Sequence, residues 1–298
     1  MPLTNLVSIV PETSQNATSP AHVYLSGLAG TGRRSMMGQL RWVAAVVGAD
    51  SIEGENGDME NPLLGVVREQ LSPDLLISAF SFAQEAQQME SRVKPVDNLF
   101  LKHRSVVVAA ILFSTAFLEA AVNELFQIAC DQKLGTSRLS DAQKRILAPI
   151  WTVESFRRAR ILEKYDVALH LLGNEHFSHG QDPYQSTELV IYLRNAIAHY
   201  VPETSEVRLV TESDLSSAIE KRLRGRFASN PLVGSYPVIV RDQPDKRGSY
   251  PFFPMRCLGY GCAKWAVKAI LSFAEDFFRR IDVKWHYSEY LDMLPPLK

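Results

Sequence analysis

Apolar residues recur at three- and four-residue steps along much of the chain, a spacing that puts them on one face of an α-helix. Four long segments show this spacing: 106–129, 154–172, 187–199 and 262–281. Gly173-Asn174 follows the second segment as good C-cap chemistry, and Pro202 stops the third. Because no run of residues alternates convincingly as a β-strand does, the pattern predicts an all-α fold built on a four-helix bundle.

Weaker signals lie before and between these helices. Helical spacing over residues 35–47 predicts a small helix near the N-terminus, and Ser72-Pro73-Asp74 opens a short one. Residues 225–254 are rich in Gly and Pro and predict a long loop before the last core helix. Within that loop, residues 236–241 are expected to form a short extended segment.

Shifts in composition divide the chain into four parts. Residues 11–20 hold two prolines and no aromatic residue, and residues 50–62 hold five acidic residues with few apolar anchors. Both stretches are typical of chain outside a packed core. We therefore predict a mobile leader at 1–20, a small helical fragment at 21–49, a linker at 50–70 and a main helical domain at 71–298.

Composition and charge restrict the class of protein. The 298 residues are 46% apolar and 22% charged, with 32 Lys and Arg against 33 Asp and Glu, as in an ordinary soluble globular protein. A net charge near zero gives no global attraction to nucleic acid or anionic lipid, so such binding requires a local patch. The cysteines Cys130, Cys257 and Cys262 form no C-x-x-C pair, which predicts three buried thiols and a reducing cytoplasm.

No membrane segment is expected from the sequence. The most apolar stretch, 105–118, has 14 uncharged residues, fewer than the roughly 20 that cross a bilayer, and predicts a core helix. The first ten residues have no basic region before their apolar positions, so they do not resemble a secretory signal. The predicted location is the cytoplasm.

The N-terminal fragment carries two motifs. Gly27 and Gly32 have the spacing of a phosphate loop, but Arg33 and Arg34 stand where Lys and Ser or Thr are required, so we reject nucleotide binding there. Residues 19–36 resemble the start of the core-binding domain of tyrosine recombinases and phage-type integrases. Recombinase chemistry is excluded, because none of the seven histidines has an Arg three residues on. Two interpretations stay open: a DNA-contacting helix with Arg33, Arg34 and Arg41 near phosphates, or a relic of a mobile element, which we favour because so short a fragment cannot bury a core.

The strongest functional signal is a polar trio on the third long helix. At about 100° per residue, Asn195 and His199 lie one turn apart on the face opposite the apolar residues, with Arg194 on the flank. A buried structural histidine would lie with the apolar residues instead. The trio is suited to proton transfer beside a guanidinium that binds phosphate.

Arg194 to His199 matches the R-x4-H motif of HEPN domains, the higher eukaryote and prokaryote nucleotide-binding superfamily, including the polar residue that commonly follows the Arg. Residues 115–126 look like the first core helix of abortive-infection HEPN proteins. The resemblance spans roughly residues 100–285, the expected core. It implies a homodimer in which two such helices face each other and form one composite cleft.

The resemblance also implies an activity: RNA cleavage without metal or other cofactor, in which the 2′-hydroxyl of the RNA attacks the adjacent phosphate. His199 matches the proton-transfer group, and Arg194 the charge that stabilises the phosphorane. Glu119, with Asn123 one turn on, would orient Arg194, although a purely structural pairing of helices fits equally well. The expected setting is a toxin or phage-defence component of a mobile element, with an antitoxin protein as a further partner.

Several features keep alternatives open. Toxins paired with nucleotidyltransferases carry a tyrosine two residues after the histidine, whereas Tyr200 follows His199 directly, so tyrosine modification is not expected. A catalytically silent bundle that binds RNA or protein through the same face is the second hypothesis, and DNA binding through residues 21–49 is the third. A basic cluster offers phosphate contacts, although a solvated helix surface is the interpretation we favour for it. Its members are Lys221, Arg222, Arg224 and Arg226.

Overall fold

The structure is a computed structural model that describes part of the chain. The described residues are 69–92, 99–131, 138–201, 218–233, 238–239, 247–248, 251–291, 294 and 296–297. The predicted leader, the recombinase-like fragment with Arg33, Arg34 and Arg41, and all but the end of the predicted linker lie outside them. The described residues therefore belong almost entirely to the predicted main helical domain.

Helices dominate the described residues, which confirms the all-α prediction. They are α1 (Ser72–Arg92), α2 (Leu99–Ala129), α3 (Asp141–Trp151), α4 (Glu154–Arg157), α5 (Ile161–Leu171), α6 (Tyr184–Ala198), α7 (Ala218–Leu223), α8 (Tyr260–Arg280) and α9 (Ser288–Leu291). An irregular π-helical turn at Phe252–Arg256 precedes α8. The extended segment expected at 236–241 is confirmed at its centre, because β1 (Val238–Ile239) pairs antiparallel with β2 (Arg247–Gly248).

Helix α2 is the centre of the domain, because it packs against α1, α3, α5, α6 and α8. Tyr165 of α5 is fully buried against it, and its hydroxyl donates a hydrogen bond of 2.7 Å to the Leu118 carbonyl. The rings of Phe273 and Phe277 on α8 meet the Tyr165 ring edge-on, with centroids 5.0 and 4.5 Å away. Burial of these aromatic side chains joins α2, α5 and α8 in one hydrophobic core.

Helix α1 is longer than the short helix that the sequence predicts. Its 21 residues pack along α2 and also contact α8. Glu124 of α2 holds its start: the backbone N–H groups of Leu71 and Ser72 each donate a 2.9 Å hydrogen bond to Glu124 Oε1, and Ser72 Oγ donates one of 2.6 Å to Oε2. A carboxylate at a helix N-terminus pairs with the free N–H groups and with the positive end of the helix dipole. Helix α1 is thus a core helix.

The predicted helix over 154–172 is wrong in its continuity. It consists of α4 and α5, separated by residues 158–160. Arg160 is extended, with φ −62° and ψ 151°, and its backbone N–H donates to the Glu163 carboxylate at 3.1 Å. This local cap starts a new helix, so the apolar spacing continues across a break in the backbone.

Helix α3 is absent from the sequence predictions. A capping box opens it: Gln143 N donates to Ser140 Oγ at 3.2 Å, and Ser140 N donates to Gln143 Oε1 at 2.9 Å. The Ser-x-x-Gln pattern is a sequence signal for such a start. Leu147 and Trp151 attach α3 to the core, where the Trp151 ring stacks on Phe126 with centroids 5.7 Å apart.

Helix α2 is also long and apolar enough to cross a membrane, judged by length and composition alone. The apolar stretch Phe100–Ala129 is longer than the uncharged stretch 105–118, because it includes a few charged residues such as Glu119. Of its most apolar window, 56% is buried inside the protein. One such helix is weak evidence for a span, since the core helix of a soluble protein passes the same test. Its contacts on several sides fit that second case.

Candidate functional site

Helix α6 presents two opposite faces, and the predicted trio lies on and beside the outer one. The side chains of Thr187, Val190 and Leu193 are buried, whereas Asn195 and His199 are exposed. Glu188 is exposed on the same side. We call Glu188, Asn195 and His199 the outer face of α6. The outward direction predicted for Asn195 and His199 agrees with the structure.

His199 lies at the end of α6 rather than inside its last turn. It is the C-cap residue, with φ −113° and ψ 37°, and its backbone N–H donates to the Asn195 carbonyl at 2.9 Å. This bond fixes the backbone of His199 one turn from Asn195, while the imidazole stays in solvent. The exposed ring is therefore available to a ligand.

Arg194 joins the outer face of α6 to α2. Its Nη1 donates to Asn195 Oδ1 at 3.0 Å, and its Nη2 lies 3.6 Å from Glu119 Oε2. The Arg194 and Glu119 side chains keep 31% and 39% of their exposure, so the ion pair is partly solvated and adds little stability. The structure places Glu119 beside Arg194, as the sequence suggested, and the pair holds the guanidinium at the edge of the outer face.

Asn123 does not contact Arg194. Its Oδ1 accepts a 2.9 Å hydrogen bond from Lys164 Nζ of α5, so it pairs two core helices. Lys164 is only 1% exposed, and its ammonium also lies 6.0 Å from the Trp151 ring centroid. Burial lowers the pKa of Lys164, and the nearby Glu119 carboxylate raises it in part. Glu119 thus lies between two cations, Arg194 at the surface and Lys164 behind it.

Lys164 is a buried cation in the site region that was not predicted as a site residue. Its position on a mostly apolar stripe, between Ile161 and Tyr165, is the one signal that marked it as inward-facing. Buried lysines are rare, and they persist where a hydrogen bond and an opposite charge offset the loss of water. Here Asn123 and Glu119 supply those two interactions.

Most of the basic cluster on and after α7 is engaged by other side chains. Arg224 Nη2 lies 2.6 Å from Glu220 Oε1, Arg226 Nη2 donates to Gln185 Oε1 at 2.9 Å, and the Arg222 guanidinium lies 4.6 Å from the Tyr192 ring centroid. Lys221 is exposed. Glu220 offsets the charge of Arg224, whereas Arg222 and Arg226 have no carboxylate partner among the residues that the structure describes. Arg222 and Arg226 therefore keep an unneutralised charge beside α6, and Lys221 has no carboxylate partner among the described residues either.

Two apolar side chains continue the chain beyond His199 in an exposed position. Tyr200 is 47% exposed and Val201 is 75% exposed. The Tyr200 ring meets Phe253 with centroids 5.8 Å apart, which directs it toward the turn before α8. Tyr200 and Val201 thus add exposed apolar surface directly beside His199.

Within the described ranges, no group of three or more His, Cys, Asp or Glu side chains is arranged to hold a metal ion. Cys257 and Cys262 are buried thiols as predicted, while Cys130 is only half-buried. Burial, together with the adjacent Cys257, raises the pKa of the Cys262 thiol.

Comparison of the chain with models of protein families, with curated proteins and with solved structures finds no match. The likeness to HEPN domains thus rests on the residues already named.

Proposed function

We propose that this chain is a metal-independent endoribonuclease of the HEPN type, a cytoplasmic homodimer that cuts single-stranded or loop RNA as a toxin or phage-defence component. The observation that carries the proposal is the position of His199 and Asn195, exposed one turn apart, beside an Arg194 that Glu119 holds. Buried structural residues would have their polar groups occupied within the fold. The exposed side chains of Asn195 and His199 can instead form hydrogen bonds with a ligand.

The proposed chemistry needs little from the protein. His199 transfers a proton at the attacking 2′-hydroxyl or at the leaving oxygen, and Arg194 stabilises the charge that develops on the phosphate. Asn195 orients the guanidinium through its 3.0 Å contact. Because the RNA supplies the nucleophile, the products are a 2′,3′-cyclic phosphate and a 5′-hydroxyl, and the reaction proceeds without a metal ion.

The experiment compares wild type with His199→Ala on single-stranded RNA in EDTA. We expect cleavage by the wild type to survive EDTA and to leave 2′,3′-cyclic phosphate ends, because no step uses a metal. We expect the variant to lose about 10²- to 10⁴-fold in rate, the usual effect of losing a positioned proton-transfer group. Its stability should stay within about 0.5 kcal/mol, as for other surface changes. Cleavage that needs Mg²⁺, or that survives His199→Ala, would contradict the proposal.

A mixing experiment tests the composite cleft. If each cleft needs His199 from both chains, random exchange of equal amounts of wild-type and His199→Ala chains leaves about one quarter of the dimers active. Dilution of the wild type alone to the same extent leaves about half of the activity. An activity near one half in the mixed sample would show that each chain works independently.

A second candidate is a non-catalytic bundle that binds RNA or a protein partner, such as an antitoxin, through the same face. The exposed Tyr200 and Val201 beside His199 favour it, because apolar side chains contribute to docking and not to proton transfer. Under this hypothesis, Val201→Asp weakens association with the partner or second copy in sedimentation, a result that the nuclease dimer also allows. Cleavage assays separate the candidates, because a non-catalytic bundle leaves RNA intact both as wild type and as His199→Ala.

A further inference from the structure

A cavity of about 1010 Å³ opens between the start of α6, the start of α8 and the segment that follows α7. This volume is at the upper end of the range for small-molecule sites, and the lining is both polar and aromatic. The proposed catalytic residues do not line it. Ser186 lines the cavity and His199 lies 13 residues further along α6, which is about 20 Å along the helix axis. The cavity is thus separate from the outer face of α6.

Three cations face the cavity. Lys264 and Lys268 lie one turn apart on α8, and Arg226 approaches from the segment after α7. Among the residues that the structure describes, no carboxylate forms an ion pair with any of the three. Arg226 donates to the Gln185 amide at 2.9 Å, and Lys264 Nζ lies 5.9 Å from the Tyr260 ring centroid. Their positive charge is therefore free to meet an anion.

The two carboxylates of the lining are occupied within the fold. Glu90 Oε1 accepts a 2.6 Å hydrogen bond from Tyr260 N and lies 3.0 Å from His103 Nε2. Asp182 Oδ1 accepts from Ser186 N at 3.1 Å and from Ser186 Oγ at 2.5 Å. These bonds hold one oxygen of each carboxylate against the fold, and the three cations of the lining outnumber the two carboxylates, so the lining has a net positive charge that favours an anion.

One wall of the cavity is aromatic. The rings of Phe227 and Trp265 lie 5.2 Å apart between centroids, and both side chains are only half-buried. Aromatic rings of this kind stack on nucleic-acid bases, and every base has a π-face to offer. The combination of a phosphate-binding side and a stacking side is the chemistry of a nucleotide site.

The rim of the cavity is held in place. A Cβ on Gly261 would come within 2.7 Å of the Ala228 carbonyl oxygen, and one on Gly259 within 2.7 Å of Asn230 Cα. Asn230 is buried, and its Nδ2 donates to the Leu258 carbonyl at 2.8 Å. The segment at 228–230 is therefore pressed against the start of α8 by contacts that only glycine permits, and the cavity is preformed.

The basic residues near α7 link this cavity to the proposed catalytic face. Arg226 contacts Gln185, and Arg222 lies over Tyr192, two turns further along α6. Gln185 and Tyr192 share one side of α6, between the outer face with His199 and the side that lines the cavity. Arg222 and Arg226 thus lie between His199 and the two cavity lysines, along the path that an RNA strand bound at both sites would take.

We infer that this cavity binds one unpaired nucleotide of single-stranded RNA, with its base against Phe227 and Trp265 and its phosphate at Lys264, Lys268 and Arg226. The assignment of a nucleotide follows from the lining of the cavity alone. The choice of an RNA-borne nucleotide over a free one rests on the proposed function. The cavity then selects RNA that is unpaired several nucleotides from the cut. Double-stranded ends do not enter it.

The experiment measures binding of the full chain to a 2′-O-methyl RNA oligonucleotide, which lacks the nucleophilic hydroxyl and stays intact. We expect Lys264→Ala/Lys268→Ala to weaken binding roughly ten- to a hundredfold, because two charge-assisted contacts are lost. The slope of log affinity against log salt should fall by at most about 0.7, because the proposed site neutralises one phosphate of a single strand. Lys264→Arg/Lys268→Arg should stay close to wild type.

The matched control is Lys102→Ala/Lys284→Ala, which removes the same two charges from exposed lysines that do not line the cavity. If Lys264→Ala/Lys268→Ala binds as tightly as this control, the inference is wrong. An abasic oligonucleotide tests the stacking side: we expect binding at least about fivefold weaker. If the abasic and the intact oligonucleotide bind equally tightly, the cavity attracts phosphate by charge alone and the nucleotide assignment is wrong.

Two further measurements distinguish a free nucleotide from an RNA-borne one, and the cavity proposal from the nuclease proposal. A mononucleotide that competes in a Lys264- and Lys268-dependent manner shows that a free nucleotide fits as well as an RNA-borne one, and supports the cavity assignment. His199→Ala should bind the oligonucleotide as wild type does. Binding that depends on Lys264 and Lys268, without any RNA cleavage, would support the nucleotide site and refute the nuclease. RNA cleavage with binding that does not depend on these lysines would support the nuclease and refute the nucleotide site.

Discussion

The two faces of α6 differ in how their polar side chains are placed: those on the inner face are buried and hydrogen-bonded within the fold, and those on the outer face are exposed to solvent. On the inner face, the hydroxyl of the buried Thr187 donates to the Pro183 carbonyl at 3.0 Å and lies 3.4 Å from the Ala269 carbonyl. On the outer face, Asn195 and His199 are both exposed, and Asn195 Oδ1 accepts a hydrogen bond from Arg194. The comparison teaches that a polar group with its hydrogen bonds satisfied belongs to the fold, while an exposed, oriented one is available for chemistry.

The sharpest test of this difference is a pair of truncations two residues apart. Leu193→Ala removes a fully buried side chain, and we expect the free energy of unfolding to fall by about 2–5 kcal/mol. Asn195→Ala should change it by less than about 0.5 kcal/mol, because its side chain is in solvent. Urea unfolding of both variants measures the two effects. Equal losses would mean that the outer face is packed in solution.

Arg194 is expected to matter for cleavage and not for folding. Arg194→Ala should lower the rate about 10²- to 10³-fold, the usual effect of removing one charge-stabilising donor. Arg194→Lys should recover part of the rate, since it keeps the charge and loses the fork of donors. Arg158→Ala is the matched control, because Arg158 is exposed and pairs with Glu154 at 2.7 Å. Unchanged cleavage by Arg194→Ala would remove the outer face from the mechanism.

A smaller effect is expected for a hydroxyl on the inner face. Thr187→Val keeps the shape of the side chain and loses its hydrogen bonds, at a cost of about 1 kcal/mol in the free energy of unfolding. Thr152→Val is the control, because the Thr152 hydroxyl donates to the Pro149 carbonyl at 2.7 Å from an exposed position. Denaturant midpoints compare the two. A larger loss at Thr152 would reverse the ranking of the faces.

The last test uses alkaline pH. Burial and the nearby Asp166 raise the pKa of Tyr184, whose hydroxyl donates to Asp166 Oδ2 at 3.2 Å. Because the folded pKa lies above the unfolded value of about 10, the stability from protonated Tyr184 is complete below pH 10 and declines as the pH rises toward the folded pKa. Tyr184→Phe should therefore lose less stability than wild type between about pH 10 and 11. Parallel curves would show that Tyr184 ionises equally in both states.

Periodicity alone was enough for the fold class, because α2, α6 and α8 each bury a stripe that repeats at helical spacing. The same rule placed Asn195 and His199 on an exposed face, since both are local consequences of one helix. Periodicity says nothing about caps, so it joined α4 to α5 across residues 158–160 and omitted α3. It also underestimated the length of α1, which begins at Ser72 as predicted but continues to Arg92 because it packs along α2 and α8.

Apart from the Arg194–Glu119 pair, which the resemblance suggested, contacts between distant segments were not predictable from the sequence. Lys164 and Asn123 are 41 residues apart and meet only because α5 packs on α2. The cavity at the start of α8 depends on the close approach of residues 228–230, which Gly259 and Gly261 permit. The sequence shows the basic cluster and the two glycines, but it does not show that they come together around one cavity. That proximity depends on how the chain folds.

The central place of α2 also has a consequence for synthesis. About 130 residues separate the end of α2 from the start of α8, which packs against both α1 and α2. At about 5–20 residues per second, a ribosome needs roughly 7–26 s to add them. During that interval the nascent chain holds an α1–α2 hairpin whose side for α8 is still uncovered. Such a surface is a substrate for chaperones, and removal of α8 is expected to turn the remaining chain into an aggregating one.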